Sequence, residues 1–238
     1  MVSCDIFHPD RPYVLLVLNS DTDLSVLTSI CGGPFSSVWN NADVVVAADG
    51  AANLIKKACL KNNVVYAPHY IIGDLDSLCS RDDFHASSSQ IISLSSQDEN
   101  DCSKCLSFLS SKYPNHHLLV IGVLGGRFDQ ICANLSFISQ TSSFSSITCL
   151  SRGNFLQLLR PGHHTLVNNP WFGPHVGLLP LNGVSIVKSR GFHWDVDGVM
   201  KMNGLVSSSN KFKSSVVHVV VADNPIWFSV DCSLFDFL

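Results

Sequence analysis

Six apolar runs of strand length recur through the first two thirds of the chain, at residues 13–19, 43–48, 70–72, 91–94, 118–124 and 147–150. Between them the apolar positions change period. Ala51, Ala52, Leu54, Ile55 and Ala58 follow the second run at helical spacing. Cys102, Cys105, Leu106 and Leu109 fall at i, i+3, i+4 and i+7, and Phe128, Ile131, Cys132 and Leu135 mark a third helix. Strands alternating with amphipathic helices predict a mostly parallel sheet flanked by helices. From about residue 155 the helical period stops. Glycine and proline then punctuate short segments, of which 184–187, 215–222 and 226–230 read as strands of an antiparallel meander or sandwich. The expected fold is therefore α/β over residues 1–155 with a C-terminal all-β sandwich over 156–238.

Composition narrows the class. Hydrophobic residues make up 46% of the 238, enough for a large buried sheet, yet no apolar run approaches the roughly 20 residues of a membrane span. Met1-Val2-Ser3-Cys4-Asp5 lacks a basic region followed by a long apolar segment, so no secretory signal is expected. A net charge of −4 without a basic cluster argues against nucleic acid. Nine cysteines, irregularly spaced and often inside apolar periodic segments, fit reduced core thiols and a cytoplasmic setting better than a disulfide framework. Cys102 and Cys105 form a C-x-x-C pair, but no second pair stands at zinc spacing, and both fall on the apolar side of their helix. His116-His117 and His163-His164 fall in polar connections without matching ligand spacing, so solvated side chains are expected there.

With only 14% of residues charged, the placement of the carboxylates is informative. Gly73-Asp74-Leu75-Asp76-Ser77 follows the strand at 70–72, where both carboxylates would face the crevice at the strand's carboxyl end. Two adjacent carboxylates repel, and a divalent cation relieves that repulsion. Oxygen ligands suit Mg²⁺, which needs few protein ligands when a polyphosphate supplies the rest. Asp98 and Asp101 stand at a helix start, where they also serve the helix dipole, and Lys104 lies one turn on from Asp101. Gly125-Gly126-Arg127-Phe128-Asp129-Gln130 opens another helix after a strand, a turn whose N–H groups and Arg127 fork suit phosphate, although it is neither a P-loop nor G-x-G-x-x-G. Asp49-Gly50 repeats the placement at a further strand end. The residues alone point to metal-assisted phosphoryl transfer.

Together the motifs resemble the thiamine pyrophosphokinase family, in its eukaryotic form. The resemblance runs through Ala48-Asp49-Gly50-Ala51-Ala52-Asn53, the Asp74 and Asp101 segments and Gly126-Arg127-Phe128-Asp129-Gln130. It continues at Pro161-Gly162-His163-His164, Gly177-Leu178-Leu179-Pro180, Gly191-Phe192-His193-Trp194, Leu205-Val206-Ser207-Ser208-Ser209-Asn210 and Asn224-Pro225-Ile226-Trp227. It implies transfer of the pyrophosphoryl group of ATP to the hydroxyl of thiamine, giving thiamine diphosphate and AMP with Mg²⁺, in a homodimer whose active sites lie at the subunit interface. By position it implies Asp74, Asp76 and Asp101 as metal ligands, with Arg127 and Asp129 beside them in catalysis. Asp49, Gln97, Asp98, Lys104 and Arg127 become nucleotide-binding candidates, and Ser209, Asn210 and Trp227 hold thiamine.

Ala51 departs from a second glycine after Asp-Gly, and Asn100 and Cys102 stand where threonine and phenylalanine are common; none of these changes removes a carboxylate. Two other classes share parts of the pattern. A haloacid-dehalogenase-like phosphatase would use Asp74 as nucleophile but needs neither the Gly-Gly-Arg-Phe-Asp motif nor a large β domain. A non-catalytic nucleotide sensor would bind in the same crevice without turnover.

Overall fold

The computed structural model describes residues 11–79, 84, 88–96 and 99–233. Their contacts divide them into two compact units, one ending at Arg152 and the other beginning at Gly153.

The first unit is a parallel sheet. Its strands are β1 (Tyr13–Val17), β2 (Val44–Ala48), β3 (Tyr70–Gly73), β4 (Gln90–Ser93), β5 (His117–Ile121) and β6 (Ser146–Ser151), in the order β6-β5-β1-β2-β3-β4. Neighbouring strands among them pair in parallel, with Leu15 opposite Val45 on one side and Leu119 on the other. Residues 14–17 and all of β2 are buried at successive positions, which requires cover on both faces.

The helices supply that cover: α1 (Leu24–Ile30), α2 (Ser37–Asn40), α3 (Ala51–Asn62), α4 (Asp101–Lys112) and α5 (Phe128–Gln140). Helix α3 buries Ala51, Ala52, Leu54, Ile55, Ala58 and Cys59, the stripe that the spacing predicted, and ends on Asn63 in the left-handed region. Helix α4 buries Cys102, Cys105, Leu106 and Leu109. Two short helices, α1 and α2, went unforeseen because serine, threonine and asparagine interrupt their apolar positions.

Strand order places the functional end. From β1 the chain steps outward through β2, β3 and β4, then returns to place β5 on the opposite side of β1. The connections leaving β1 and β5 thus diverge, opening a crevice beyond their carboxyl ends.

The second unit is an antiparallel β-sandwich. Strands β7 (Gly153–Leu159), β9 (Phe172–Leu179), β12 (Ser207–Asn210) and β14 (Ile226–Cys232) run in the order β12-β9-β14-β7. The others, β8 (Gly162–Val167), β10 (Ser185–Arg190), β11 (Asp197–Met200) and β13 (Val216–Val221), run β11-β10-β13-β8. Ser185, Val187 and Ser189 of β10 are buried while Ile186, Lys188 and Arg190 are exposed, the period of a sheet with one face in the core. Phe155 meets Phe172 and Phe228 of the same sheet, and these two meet Phe212, which also contacts Phe192, in one aromatic cluster.

His116 lies in a connection and His163 is exposed, as expected, but His117, His163 and His164 belong to strands. His163 and His164 lie within β8, with His164 Nε2 2.6 Å from the Arg160 carbonyl. His117 opens β5 and sets Nδ1 2.6 Å from Ser146 Oγ, while its buried Nε2 has no partner. Burial, reinforced by the nearby Arg11 charge, pushes its pKa down to about 4. The unfolded chain therefore binds this proton first. Stability is lost as pH falls from the ordinary 6.5 towards about 4. We expect His117→Asn to lose less stability than wild type across that window, read from urea unfolding midpoints. Parallel pH profiles would show that His117 does not carry the acid sensitivity.

Candidate active site

The carboxyl ends of β1, β2, β3 and β5 enclose a crevice of about 240 Å³, lined by Asn19, Asp49, Asp74, Asp101, Lys104 and Gln130 among others. Its carboxylates arrive from three segments. Asp49 follows β2 directly, with φ 41° and its N–H bonded to the Ile72 carbonyl at 2.9 Å. Asp74 and Asp76 follow β3, and Asp101 opens α4.

The Asp74–Ser77 loop turns sharply after the strand. Leu75 turns into the left-handed region at φ 67° and buries its side chain, a conformation that costs a bulky residue about 1–3 kcal/mol. Hydrogen bonds hold the turn: Asp76 N–H donates to Asp74 Oδ1 at 3.3 Å, Ser77 Oγ to Asp76 Oδ1 at 2.9 Å, and Ser77 N–H to Asp49 Oδ2 at 3.2 Å. Asn53 latches it from α3, donating to the Ser77 carbonyl at 2.8 Å and accepting from Cys79 N–H at 3.0 Å. The turn brings one oxygen each of Asp49, Asp74 and Asp76 within 4.8 Å of one another.

Gly73 makes this convergence possible. A Cβ there would lie 2.7 Å from Asp49 Cβ and 3.1 Å from Asp101 Oδ1. Gly125 is likewise closed in, for its Cβ would fall on the hydroxyls of Ser20 and Thr22.

The electrostatics are unbalanced. Among the described lining residues Asp49, Asp74, Glu99 and Asp101 face a single cation, Lys104, which is buried and lies 3.4 Å from Asp101 Oδ1. Burial first, then repulsion from Asp101 and Asp74, pushes the Asp49 carboxyl up, against the Ser77 hydrogen bonds. Asp101 is also raised, mainly by burial and further by Asp74 and Asp76, with Lys104 opposing. Asp49 Oδ1 is buried and without a hydrogen-bond partner. A buried, unpaired carboxylate oxygen beside two further carboxylates fits a hard divalent cation, to which all three oxygens can turn.

The other candidates are placed unevenly. Gln97 and Asp98 lie outside the described residues. Arg127 and Asp129 pair with each other, Nε to Oδ1 at 3.1 Å, on side chains 72% and 64% exposed; neither lines the crevice. That hydrogen bond holds the Asp129 carboxyl below its ordinary range. Gln130 and Asn134, from the same helix, line the crevice instead. Asn134, Asn19 and Asn53 were not singled out from sequence, where a lone amide carries no spacing signal.

In the second unit Trp227 is fully buried on β14, opposite Leu158 and Leu179. Trp194 is 62% exposed. Buried Asn210 ties it down, donating to the Trp194 carbonyl at 2.7 Å and accepting from Trp194 N–H at 3.2 Å. Ser209, beside it, is exposed at φ 55°.

A metal-free protein should register the crowding at Asp49. A raised carboxyl favours folding below its unfolded pKa and loses that contribution as pH rises through the folded value. We expect Asp49→Asn to stabilise the metal-free protein at neutral pH, with the difference shrinking as pH falls into the carboxyl range. Thermal melts with chelator present measure it, and Mg²⁺ should reverse its sign. A pH-independent difference would remove Asp49 as the strained group.

Comparison with known proteins follows the same division. Residues 35–150 match the model "Thiamin pyrophosphokinase, catalytic domain", and residues 163–227 match "Thiamin pyrophosphokinase, vitamin B1 binding domain". Thiamine pyrophosphokinase 1 of Arabidopsis thaliana is 30% identical over 249 residues, covering 95% of this chain and 89% of that protein. Thiamine pyrophosphokinase 3 of Oryza sativa is 32% identical over 213 residues, covering 80% and 79%. The solved thiamin pyrophosphokinase from Candida albicans superposes with a TM-score of 0.82 at 22% identity, over 97% of this chain and 92% of that one, a likeness of fold. On these matches the chain belongs to the thiamin pyrophosphokinase family.

Proposed function

We propose that the chain transfers the pyrophosphoryl group of ATP to the hydroxyl of thiamine, yielding thiamine diphosphate and AMP. The observation that carries this reading is the unpartnered Asp49 Oδ1, grouped with Asp74 and Asp76 at the strand ends of a family member. In this reading Asp49, Asp74 and Asp76 hold Mg²⁺, and Asp101 completes the site or positions Lys104. Held by these carboxylates, Mg²⁺ would supply positive charge that neutralises the transferred group. Lys104 adds the cation of the crevice, and α5 presents Gln130 and Asn134 to the nucleotide. The reaction is an in-line displacement at the β-phosphorus, so positioning carries most of the catalysis. The exposed Arg127 exchanges Asp129 for a phosphate in this reading, the role expected of Arg127, whereas the exchange gives the Asp129 carboxylate no catalytic part.

The same proposal assigns thiamine to the second unit, near Ser209, Asn210 and Trp194. A flat ring facing a cationic thiazolium or its pyrimidine gains about 1–2 kcal/mol. Trp194 is largely exposed, with the His193 ring 5.9 Å from its own, whereas Trp227 is fully buried. A homodimer with active sites at the subunit interface belongs to the proposal. Its support is the exposed apolar pairs Ile186–Val199 and Val167–Val216 on the four-stranded sheet. A cytoplasmic setting is supported by the buried, irregularly spaced cysteines.

The direct test incubates purified protein with ATP, Mg²⁺ and thiamine and identifies the products. AMP with thiamine diphosphate supports the reading, inorganic phosphate alone would indicate a phosphatase, and binding without turnover a sensor. Asp74→Asn and Asp76→Asn should each lower kcat at least about a hundredfold with the fold intact by circular dichroism. Near-normal rates at limiting Mg²⁺ would remove the metal role.

The two tryptophans should separate cleanly. Trp194→Ala should raise KM for thiamine about fivefold to thirtyfold, with ATP affinity and melting temperature nearly unchanged. Trp227→Ala should instead lose about 3–5 kcal/mol of stability. Equal stability losses in the two variants would place both rings in the core.

A further inference from the structure

Asn100 does more than begin a helix. Its side-chain oxygen accepts the Ser103 N–H at 2.8 Å, capping α4, and its Nδ2 donates to Asn134 Oδ1 at 3.1 Å on α5. Both side chains line the acidic crevice.

The first bond fixes the second. A backbone N–H can only donate, so the Asn100 oxygen must face Ser103 and its NH₂ must face away. That NH₂ in turn needs an acceptor, so Asn134 must present its oxygen to Asn100. Both amide orientations are thereby set by one backbone group rather than left to rotate. Asn134 Nδ2 is then turned from Asn100, and among the described residues it donates to no protein acceptor. Gln130, one helical turn earlier, lines the same crevice. An NH₂ held in a crevice dominated by carboxylates, yet spent on none of them, is a donor kept for an incoming acceptor.

We infer that Asn100 is a positioning residue for the nucleotide: it locks the Asn134 carboxamide so that its NH₂ donates to an oxygen or nitrogen acceptor of bound ATP. This rests on the proposed use of the crevice for Mg²⁺·ATP. A threonine at position 100 would keep the helix cap, since its hydroxyl accepts the same N–H. With its single proton and short reach it would not span to Asn134. The α4–α5 amide bridge thus depends on the carboxamide of Asn100 and not on the helix cap alone.

The test compares Asn100→Thr, Asn134→Ala and the double variant. Affinity for Mg²⁺·ATP is measured by calorimetry without thiamine, so that turnover is not needed. Asn100→Thr should melt within about 2 °C of wild type, because the cap remains. It should bind Mg²⁺·ATP about threefold to tenfold more weakly, the loss of roughly one oriented hydrogen bond. KM for thiamine should not change. In the Asn134→Ala background the same substitution should cost nothing further, because Asn100 acts through Asn134. Wild-type affinity in Asn100→Thr, or an equal loss with and without Asn134, would overturn the inference. A wild-type protein that binds Mg²⁺·ATP but makes no thiamine diphosphate would instead defeat the proposed reaction and leave this comparison standing.

Discussion

Repulsion among carboxylates at the ends of a parallel sheet is the constraint around which the first unit is arranged. Asp49, Asp74 and Asp76 bring oxygens within 4.8 Å, and Asp101 stands close enough to raise the Asp49 carboxyl. Nothing in the unfolded chain requires that proximity, and in water it would relax. It persists because the backbone is overdetermined: Asp49 and Leu75 sit at positive φ, Ser77 bonds Asp49, and Asn53 closes the loop from α3. The sheet can bear this. With β1 and β2 buried at nearly every position, hydrophobic burial there far exceeds a few kcal/mol of local strain.

The same constraint explains the shape of the surrounding sequence. Gly73 is needed because any side chain would enter the space between Asp49 and Asp101, and so a small residue, not a strand former, ends β3. Lys104 is buried at a cost that only a nearby carboxylate makes bearable, and Asp101 supplies it one helical turn away. The cation then offsets one negative charge and leaves the rest unbalanced.

Sequence reading located this end of the sheet because strands and helices of regular period put all its carboxylates at strand or helix boundaries. It could not determine how those carboxylates face. The Asp74–Asp76 pair was legible as carboxylates at a strand's carboxyl end, but the left-handed Leu75 makes their convergence, and φ is not written in spacing. Arg127 and Asp129 fall at a helix start, where side-chain direction depends on neighbours far away in sequence; they find each other at the surface. Trp194 and Trp227 are chemically alike, and only burial tells them apart. In the β half, polar and glycine-rich segments such as β8, β11 and β12 carried no clear period. β8 and β12 moreover pair at long range, with β13 and β9, where spacing along the chain carries no signal.

Amide side chains now assume a role that sequence spacing concealed. Asn53, Asn100 and Asn210 each satisfy both a donor and an acceptor, and each supports a group that faces outward: the Asp74–Ser77 turn, Asn134 and Trp194. A carboxamide suits this task because it donates and accepts without adding charge to a region already short of cations. An aspartate in any of these places would bring one more negative group to repel, and a serine would lack the reach. The acidic residues and exposed rings meet the ligands in the proposed reaction, but their geometry is held by neutral amides one layer behind them. Loss of a carboxylate should therefore appear in metal dependence and rate. Loss of an amide should appear as misplacement, in the affinity for one substrate and not the other.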